Sequence, residues 1–248
     1  MDADFSESYD IFTSSDDYAT RYAGRVGEWM LKVQEQAILR MLAPHPNASI
    51  LDVGGGHSQL TPALIRNGYL VTVLGSSEDC KSRLSPCLDQ ITFDIGSLMN
   101  MPYPDRAFDV VISLRLMAHM PRWEEFIGEL ARVARKAVIV DYPEVRSINI
   151  VSTQLFSLKK RLEPNTRRFQ CLRERELLRV FKEVGFRESD RFPQYFLPMM
   201  LHRALKQPRL SAALEAFFRA IGLTRLLGSP VILKVDRGYL RPSASIGG

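Results

Sequence analysis

The sequence is poor in cysteine, with three in 248 residues, and none of them forms a Cys-x-x-Cys pair. This spacing indicates neither a disulfide framework nor a zinc site. The chain also lacks the roughly 18 consecutive apolar residues that a membrane span requires. Residues 1–17 lack a basic segment followed by an apolar one, which argues against a signal peptide. We therefore expect a cytoplasmic protein with reduced thiols.

Long runs of Lys or Arg are missing as well. The formal net charge is +5 and the pI is near 9.2, so nucleic-acid affinity is not indicated, and an acidic or lipid-surface partner stays open. What the chain does have is apolar content. Hydrophobic residues make up 46% of it, which is enough to bury the core of one large α/β domain.

Strands and helices are predicted to alternate along the chain, which indicates an α/β fold with a mostly parallel sheet and right-handed crossovers. The predicted strands are 49–53, 69–74, 91–95, 108–114, 137–140 and 231–235. Helices are predicted from Trp29 to Leu42, just after the glycines at 54–56, after Pro121, from Glu174 to Val184, and over 196–205 and 211–227.

The pattern predicts a single domain with an added segment. Residues 1–45 are expected to form an N-terminal lid and helix, and residues 46–142 the core. Residues 143–237 are expected to complete the same domain and to carry a helical insertion before the last strand. Residues 238–248, rich in small residues, are predicted to be a disordered tail.

The strongest local signal is a glycine turn, residues 51–58 (LDVGGGHS), at the end of the first predicted strand. Glycines let the backbone turn sharply and approach a ligand in the crevice at the carboxyl edge of the sheet. The fingerprint of a nicotinamide dehydrogenase has a third glycine three residues after the second. Gln59 stands at that position, which disfavours a nicotinamide oxidoreductase.

The spacing D-x-G-x-G-x-S over residues 52–58 resembles the first motif of class I S-adenosylmethionine-dependent methyltransferases. Residues 101–111 (MPYPDRAFDVV) are similar to the family's LPFPDxxFDVV segment, and residues 116–133 are similar to a stretch common in its small-molecule members. The resemblance covers residues 20–142 well and the remainder loosely. It implies a Rossmann-like three-layer sandwich whose mostly parallel sheet has seven strands.

The resemblance also implies S-adenosylmethionine as the cofactor. Gly54, Gly55 and Gly56 would line its methionine end, and Asp52 would bind near its amino group. The alternative role for Asp52 is a carboxylate that stabilises the turn. The other cofactor contacts implied are Tyr22, Gly75, Ser76, Ser97, Leu98, Leu114 and Arg115.

Tyr22 lies with Tyr18 and Arg21 where family members have an N-terminal lid. The alternative is that the two tyrosines pack as an aromatic pair on the first long helix. The sequence leaves both interpretations open.

Two positions depart from the family pattern. The acid that usually ends the second strand and binds the ribose hydroxyls aligns with Gly75, and residues 76–78 are the candidates to replace it. The acid that often contacts the adenine amino group aligns with Ser97, and Asp94 would take that place if the register slips by three residues. Weaker cofactor binding and a different set of polar contacts are both consistent with these departures.

Methyl transfer needs little from the protein beyond alignment, because the sulfonium already activates the methyl group. A hydroxyl acceptor would also need a base, and His119, just after the fourth predicted strand, is the candidate. Its alternative is a structural histidine. His57 is expected to support the glycine turn or to lie beside the cofactor. His45 and His202 have no ligand-like spacing with a partner, so no metal is predicted.

The acceptor is predicted only by class. Basic residues exceed acids between Lys159 and Arg179, which indicates either a solvated surface or a rim for an anionic acceptor. Few aromatics are interleaved there, so nucleic acid is not favoured. Apolar side chains between Phe192 and Leu201 indicate either core or the wall of a pocket for an apolar acceptor.

We therefore predict an S-adenosylmethionine-dependent methyltransferase that acts on a small molecule. The alternative comes from another class: a non-catalytic Rossmann-like protein that binds a ligand or a partner. The missing ribose acid favours that alternative.

Overall fold

A seven-stranded sheet forms the centre of the protein in a computed structural model, which describes residues 9–147 and 170–238. The strands are β1 (Ser49–Val53), β2 (Leu70–Gly75), β3 (Thr92–Ile95), β4 (Phe108–Ser113), β5 (Ala134–Tyr142), β6 (Phe186–Pro193) and β7 (Val231–Arg237). Their order in the sheet is β3-β2-β1-β4-β5-β7-β6. Strands β1 to β5 pair in parallel, and β7 is antiparallel to both of its neighbours.

Helices cover both faces of this sheet. The helices of the described residues are α1 (Tyr9–Ser14), α2 (Asp16–Thr20), α3 (Gly24–Leu42), α4 (Thr61–Arg66), α5 (Trp123–Val133), α6 (Glu174–Glu183), α7 (Met199–Leu205), α8 (Pro208–Ala220) and α9 (Leu223–Leu227). Apolar residues of α3 and α4 pack on one face, and those of α5 and α6 on the other. The predicted Rossmann-like three-layer sandwich is confirmed.

The central strands are apolar on both faces because helices lie on both sides of them. In β1, Ile50 packs toward α3 while its neighbour Leu51 packs toward α5, and Val110 and Val111 of β4 divide in the same way. All four side chains are fully buried. The pairing of Leu51 with Val111 aligns the carboxyl ends of β1 and β4 at one edge of the sheet.

The predicted strands agree with the structure to within one residue at most ends, and β5 extends beyond its predicted limits at both ends. Strand β6 is the exception, because the sequence analysis did not predict it. Its sequence, FRESDRFP, is polar, and only its first and last residues are buried, since it forms the edge of the sheet and pairs only with β7. A strand of this kind lacks the apolar run or clean alternation that identifies buried strands.

The helical insertion before the last strand is also confirmed, and α7, α8 and α9 form it between β6 and β7. Two other expectations lie outside the described residues. The most basic part of the predicted rim, 159–168, falls within 148–169, and all but one residue of the predicted tail falls within 239–248.

Candidate active site

The glycine turn lies at the carboxyl edge of the sheet, directly after β1. Gly54 has φ of 72°, a left-handed conformation that favours glycine. A Cβ at Gly54 would lie 2.5 Å from Leu116 Cδ1, and one at Gly56 would collide with the backbone carbonyl of Cys80. The turn therefore requires glycine for conformation at one position and for close approach at the other.

Asp52 is fully buried on β1 against this turn, since a Cβ at Gly55 would collide with its carboxylate. Among the described residues, neither carboxylate oxygen has a hydrogen-bond partner. Burial raises the pKa of Asp52 to about 7, and the charge of Arg115 partly offsets this effect. A buried acid without partners is suited to receive a cationic ligand group.

Helix α1 lies over the glycine turn. Its Asp10 is fully buried, and the Asp10 Cβ would be 3.3 Å from a Cβ at Gly54. The Asp10 carboxylate accepts hydrogen bonds from the Ser76 backbone N–H at 2.8 Å and the Ser76 hydroxyl at 2.5 Å. The thiol of Cys80 lies 3.3 Å from the same carboxylate.

The end of β2 has no room for the acid of the family pattern. A Cβ at Gly75 would lie 2.9 Å from the Cys80 Cβ and 3.0 Å from Phe93 Cζ, so an aspartate there would displace both. The carboxylate next to Ser76 comes instead from Asp10, 66 residues earlier in the chain. The sequence analysis missed Asp10. The signal available was an acid-rich N-terminal segment in a chain whose second strand lacks its usual acid.

Arg115 follows β4 at the same edge of the sheet and is buried. Its φ of 65° is unusual for a residue other than glycine. The Arg115 N–H donates to Asp141 at the end of β5 over 2.5 Å, which holds the backbone in this conformation. The Gln34 side chain of α3 donates a hydrogen bond to the other carboxylate oxygen of Asp141. Its Oε1 accepts hydrogen bonds from the Gln59 side chain and, at 3.4 Å, from the Arg115 guanidinium. Gln34 is a second residue that the sequence analysis did not single out.

The N-terminal tyrosines pack over Arg115. The Arg115 guanidinium lies 4.2 Å from the Tyr22 ring centre and 5.8 Å from that of Tyr18, distances typical of cation–π contacts. Arg21 is exposed and lies 4.8 Å from the Tyr18 ring centre. The two tyrosine rings also lie 6.3 Å apart and Tyr22 packs on α3, so the contacts expected of the aromatic pair are present together with those to Arg115.

The two histidines near the site differ. His119 ends a short 3-10 helix after β4, is partly buried, and lies edge-on to Phe12 of α1 with 6.3 Å between ring centres. His57 is buried in the glycine turn, where its Nδ1 accepts from the Gln59 N–H at 3.3 Å. Burial holds the pKa of His57 well below its usual range, so it stays neutral. His57 supports the turn, as one of its predicted roles requires.

The remaining predicted contacts are buried or hydrogen-bonded within the fold. Leu98 and Leu114 are fully buried in the two apolar cores. Ser97 accepts from the N–H groups of Met99 and Asn100 in a tight turn. The Asp94 carboxylate accepts from the Tyr103 hydroxyl at 2.8 Å, so it is engaged away from the place that a register slip would give it.

A small cavity lies beside Asp141, between α3 and the helical insertion. Its lining residues are Tyr22, Met30, Gln34, Asp141, Gln194, Tyr195, Met199 and Pro230. Its volume of about 20 Å³ holds a water molecule but not an organic acceptor. Tyr195 and Met199 are thus the members of the predicted apolar wall that reach the cavity, whereas Met200 and Leu201 point to solvent, with 55% and 42% exposure.

Among the described residues, no three His, Cys, Asp or Glu side chains are grouped as a metal site. In the same ranges, no helix is both long and apolar enough to cross a membrane.

The sheet order, with its antiparallel strand between β5 and β6 and the glycine turn after β1, defines a Rossmann-like methyltransferase fold. Residues 51–140 match the family described as "Methyltransferase domain". This match agrees with the motifs, which resemble those of the class I S-adenosylmethionine-dependent methyltransferases, and it implies S-adenosylmethionine as the cofactor.

Known proteins resemble the chain over different spans. It is 41% identical to ajmaline N-methyltransferase of Rauvolfia serpentina over 51 residues, 21% of this chain and 18% of the relative. It is 34% identical to 27-O-demethylrifamycin SV methyltransferase of Amycolatopsis mediterranei over 105 residues, 38% of each chain. It therefore spans less than two fifths of either curated relative.

A solved structure matches over nearly the whole length. Magnesium protoporphyrin IX methyltransferase of Synechocystis PCC 6803, with bound SAH, superposes with a TM-score of 0.66 over 94% of this chain and 98% of that one. The sequence identity is 17%, so this likeness supports the fold alone.

Proposed function

We propose that the protein transfers a methyl group from S-adenosylmethionine to a small-molecule acceptor in the crevice above β1 and β4. The observation that carries the proposal is Asp52. A buried carboxylate without partners next to a glycine turn is suited to a ligand's ammonium group. The curated relatives are named for methylating ajmaline-type and rifamycin-type molecules, which supports a small-molecule acceptor.

The residues present fit the cofactor. Asp52 would hold the amino group, and the glycine turn would line the methionine end because glycines let the backbone approach a ligand closely. Tyr18 and Tyr22 would cover the site through Arg115 and exclude water. When bound, S-adenosylmethionine supplies an activated methyl group. The protein's remaining task is to orient the acceptor and, for a hydroxyl, to take its proton.

His119 is our proposed base for a hydroxyl acceptor. Its partly buried ring lies after β4 near the mouth of the crevice, where a ring nitrogen would accept the proton. We expect His119→Ala to lower turnover by roughly 10²- to 10³-fold while leaving cofactor affinity within about twofold of the native value. The check is single-turnover transfer of radiolabelled methyl groups to an acceptor found by screening. Unchanged turnover with a hydroxyl acceptor would exclude His119 as the base.

The test of the function is calorimetric titration with S-adenosylmethionine and S-adenosylhomocysteine, with NADH as a control. We expect micromolar binding of the first two and none of NADH. Asp52→Asn should weaken binding roughly hundredfold, because a hydrogen bond to a charged group is lost. The matched control is Asp105→Asn, an exposed carboxylate before β4, which should leave binding unchanged.

One observation favours the second candidate, a non-catalytic Rossmann-like binding protein. Helix α1 lies over the glycine turn, and Asp10 fills the space beside Ser76. The same titration separates the two candidates. Binding of neither S-adenosyl compound by the folded protein, and no gain after removal of residues 1–14, would favour the non-catalytic protein.

A further inference from the structure

Helix α8 of the insertion has an inverted distribution of polarity. Its buried side chains are those of Ser211 and Glu215. Two of its large apolar side chains point outward instead: Leu210 is 46% exposed and Phe217 58%. Ile221, immediately after the helix, is 54% exposed. Spacings of seven and four residues place these three on one helical stripe.

Glu215 explains why the polar face points inward. It accepts from the N–H groups of Phe196 and Leu197 at 2.8 and 2.9 Å and contacts His202 Nε2 at 2.9 Å. These bonds anchor α8 to the start of α7. Because the polar side is fixed in this way, the apolar side of α8 is left facing solvent.

The neighbouring helices enlarge the apolar surface. Helices α7 and α9 pack against α8 and expose Met200, Leu201 and Leu226, the last of them by 68%. Outside the insertion, the exposed large hydrophobic residues in the described ranges are Leu70 and Ile95, on distant strands. Exposed apolar side chains are therefore concentrated on one element, as is typical of an interaction surface.

The charge of this element has one sign. The insertion carries Arg203, Lys206, Arg209, Arg219 and Arg225. Its one acid, Glu215, is 5% exposed. Within the described residues, no ion pair neutralises any of these five cations.

We propose that the insertion binds the surface of an anionic lipid membrane. Apolar side chains that enter the interface, surrounded by cations that meet anionic headgroups, fit both features of the surface. A nucleic acid would satisfy the cations but leave Phe217 and Ile221 in water. A second copy of the chain would bring cation against cation. This proposal concerns attachment to the surface and does not depend on the proposed catalysis.

The test is flotation of the full chain with vesicles of phosphatidylcholine, alone or mixed with phosphatidylglycerol. We expect at least about tenfold stronger binding to the anionic vesicles, and loss of that binding at high salt. Phe217→Ser with Ile221→Ser should lower binding by about tenfold or more, since both apolar anchors are removed. Arg209→Glu should lower it several-fold.

Two matched controls separate this surface from general stickiness. Leu70→Ser removes an exposed leucine far from the insertion, and Lys182→Glu reverses a charge on α6 at the other face of the sheet; both should bind as the native chain does. Circular dichroism melting verifies folding. The proposal is overturned if the anionic vesicles do not bind, if the α8 variants bind like the controls, or if Phe217→Ser instead abolishes a dimer detected by sedimentation.

Discussion

Two buried carboxylates, Asp52 beside the glycine turn and Glu215 in the helical insertion, have opposite surroundings. Glu215 receives two backbone N–H groups and contacts His202, so its bonding capacity is used within the fold. Asp52 has no partner on either oxygen among the described residues. Burial alone therefore does not mark a functional acid in this protein. The role that we propose for Asp52 depends instead on its unused hydrogen-bonding capacity next to the glycine turn.

The largest effect should come from removing the satisfied carboxylate. Glu215→Ala leaves two buried N–H groups and a histidine without their acceptor, so we expect the free energy of unfolding to fall by about 3 to 5 kcal/mol. Urea unfolding measures it. Glu188→Ala, at an exposed position on β6, is the control and should change the value by less than about 0.5 kcal/mol. Equal effects of the two substitutions would contradict the structural role of Glu215.

Replacing Asp52 should raise the free energy of unfolding instead of lowering it. With a pKa of about 7 in the folded state and an ordinary value when unfolded, the folded protein binds the extra proton between about pH 4 and pH 7. The native protein therefore loses stability as pH rises through this window. We expect Asp52→Asn to be more stable than the native protein at pH 8, by on the order of 3 kcal/mol, and nearly equal to it at pH 4.

Urea unfolding of both proteins across this pH range is the measurement. Asp105→Asn serves as the control, because it removes an exposed carboxylate instead of a buried one. A stability difference that stays constant with pH would mean that Asp52 is ionised throughout and has a partner.

A smaller effect is expected from replacing Asp10. Whether the affinity for S-adenosylhomocysteine rises or falls decides the role of Asp10. Its carboxylate is bonded to Ser76, and its Cβ lies close to Gly54. We expect Asp10→Asn to loosen α1 and to raise the affinity for S-adenosylhomocysteine by about three- to tenfold, as removal of a competing contact does. Calorimetry measures it, with the exposed Asp16→Asn as control. A fall in affinity would instead make Asp10 the ribose ligand that replaces the acid absent at Gly75.

The sequence predicted the parts of the fold that depend on local pattern. Strands β1 and β4 are apolar on both faces and adjoin recognisable motifs, so their positions and the glycine turn follow from a few neighbouring residues. Strand β6 was missed because its polar sequence becomes a strand only through pairing with β7. Tertiary context outweighed local preference there.

The candidate site shows the same division. Asp52 and the three glycines are identified by spacing within one short segment. Asp10 and Gln34 are not, because each acts on a residue far away in sequence, Ser76 in the first case and Asp141 in the second. No spacing rule connects residues separated by 66 or 107 positions.

By itself, the sequence determined the α/β class, the resemblance of its central part to a methyltransferase domain and the place of the glycine turn, because hydrophobic periodicity and glycine conformation act over short stretches of chain. Only the tertiary structure decided that α1 covers that turn, that the Asp10 carboxylate bonds Ser76, and that α8 exposes Leu210 and Phe217. Each of these depends on which distant groups satisfy a buried polar atom, and that is settled when the elements pack together.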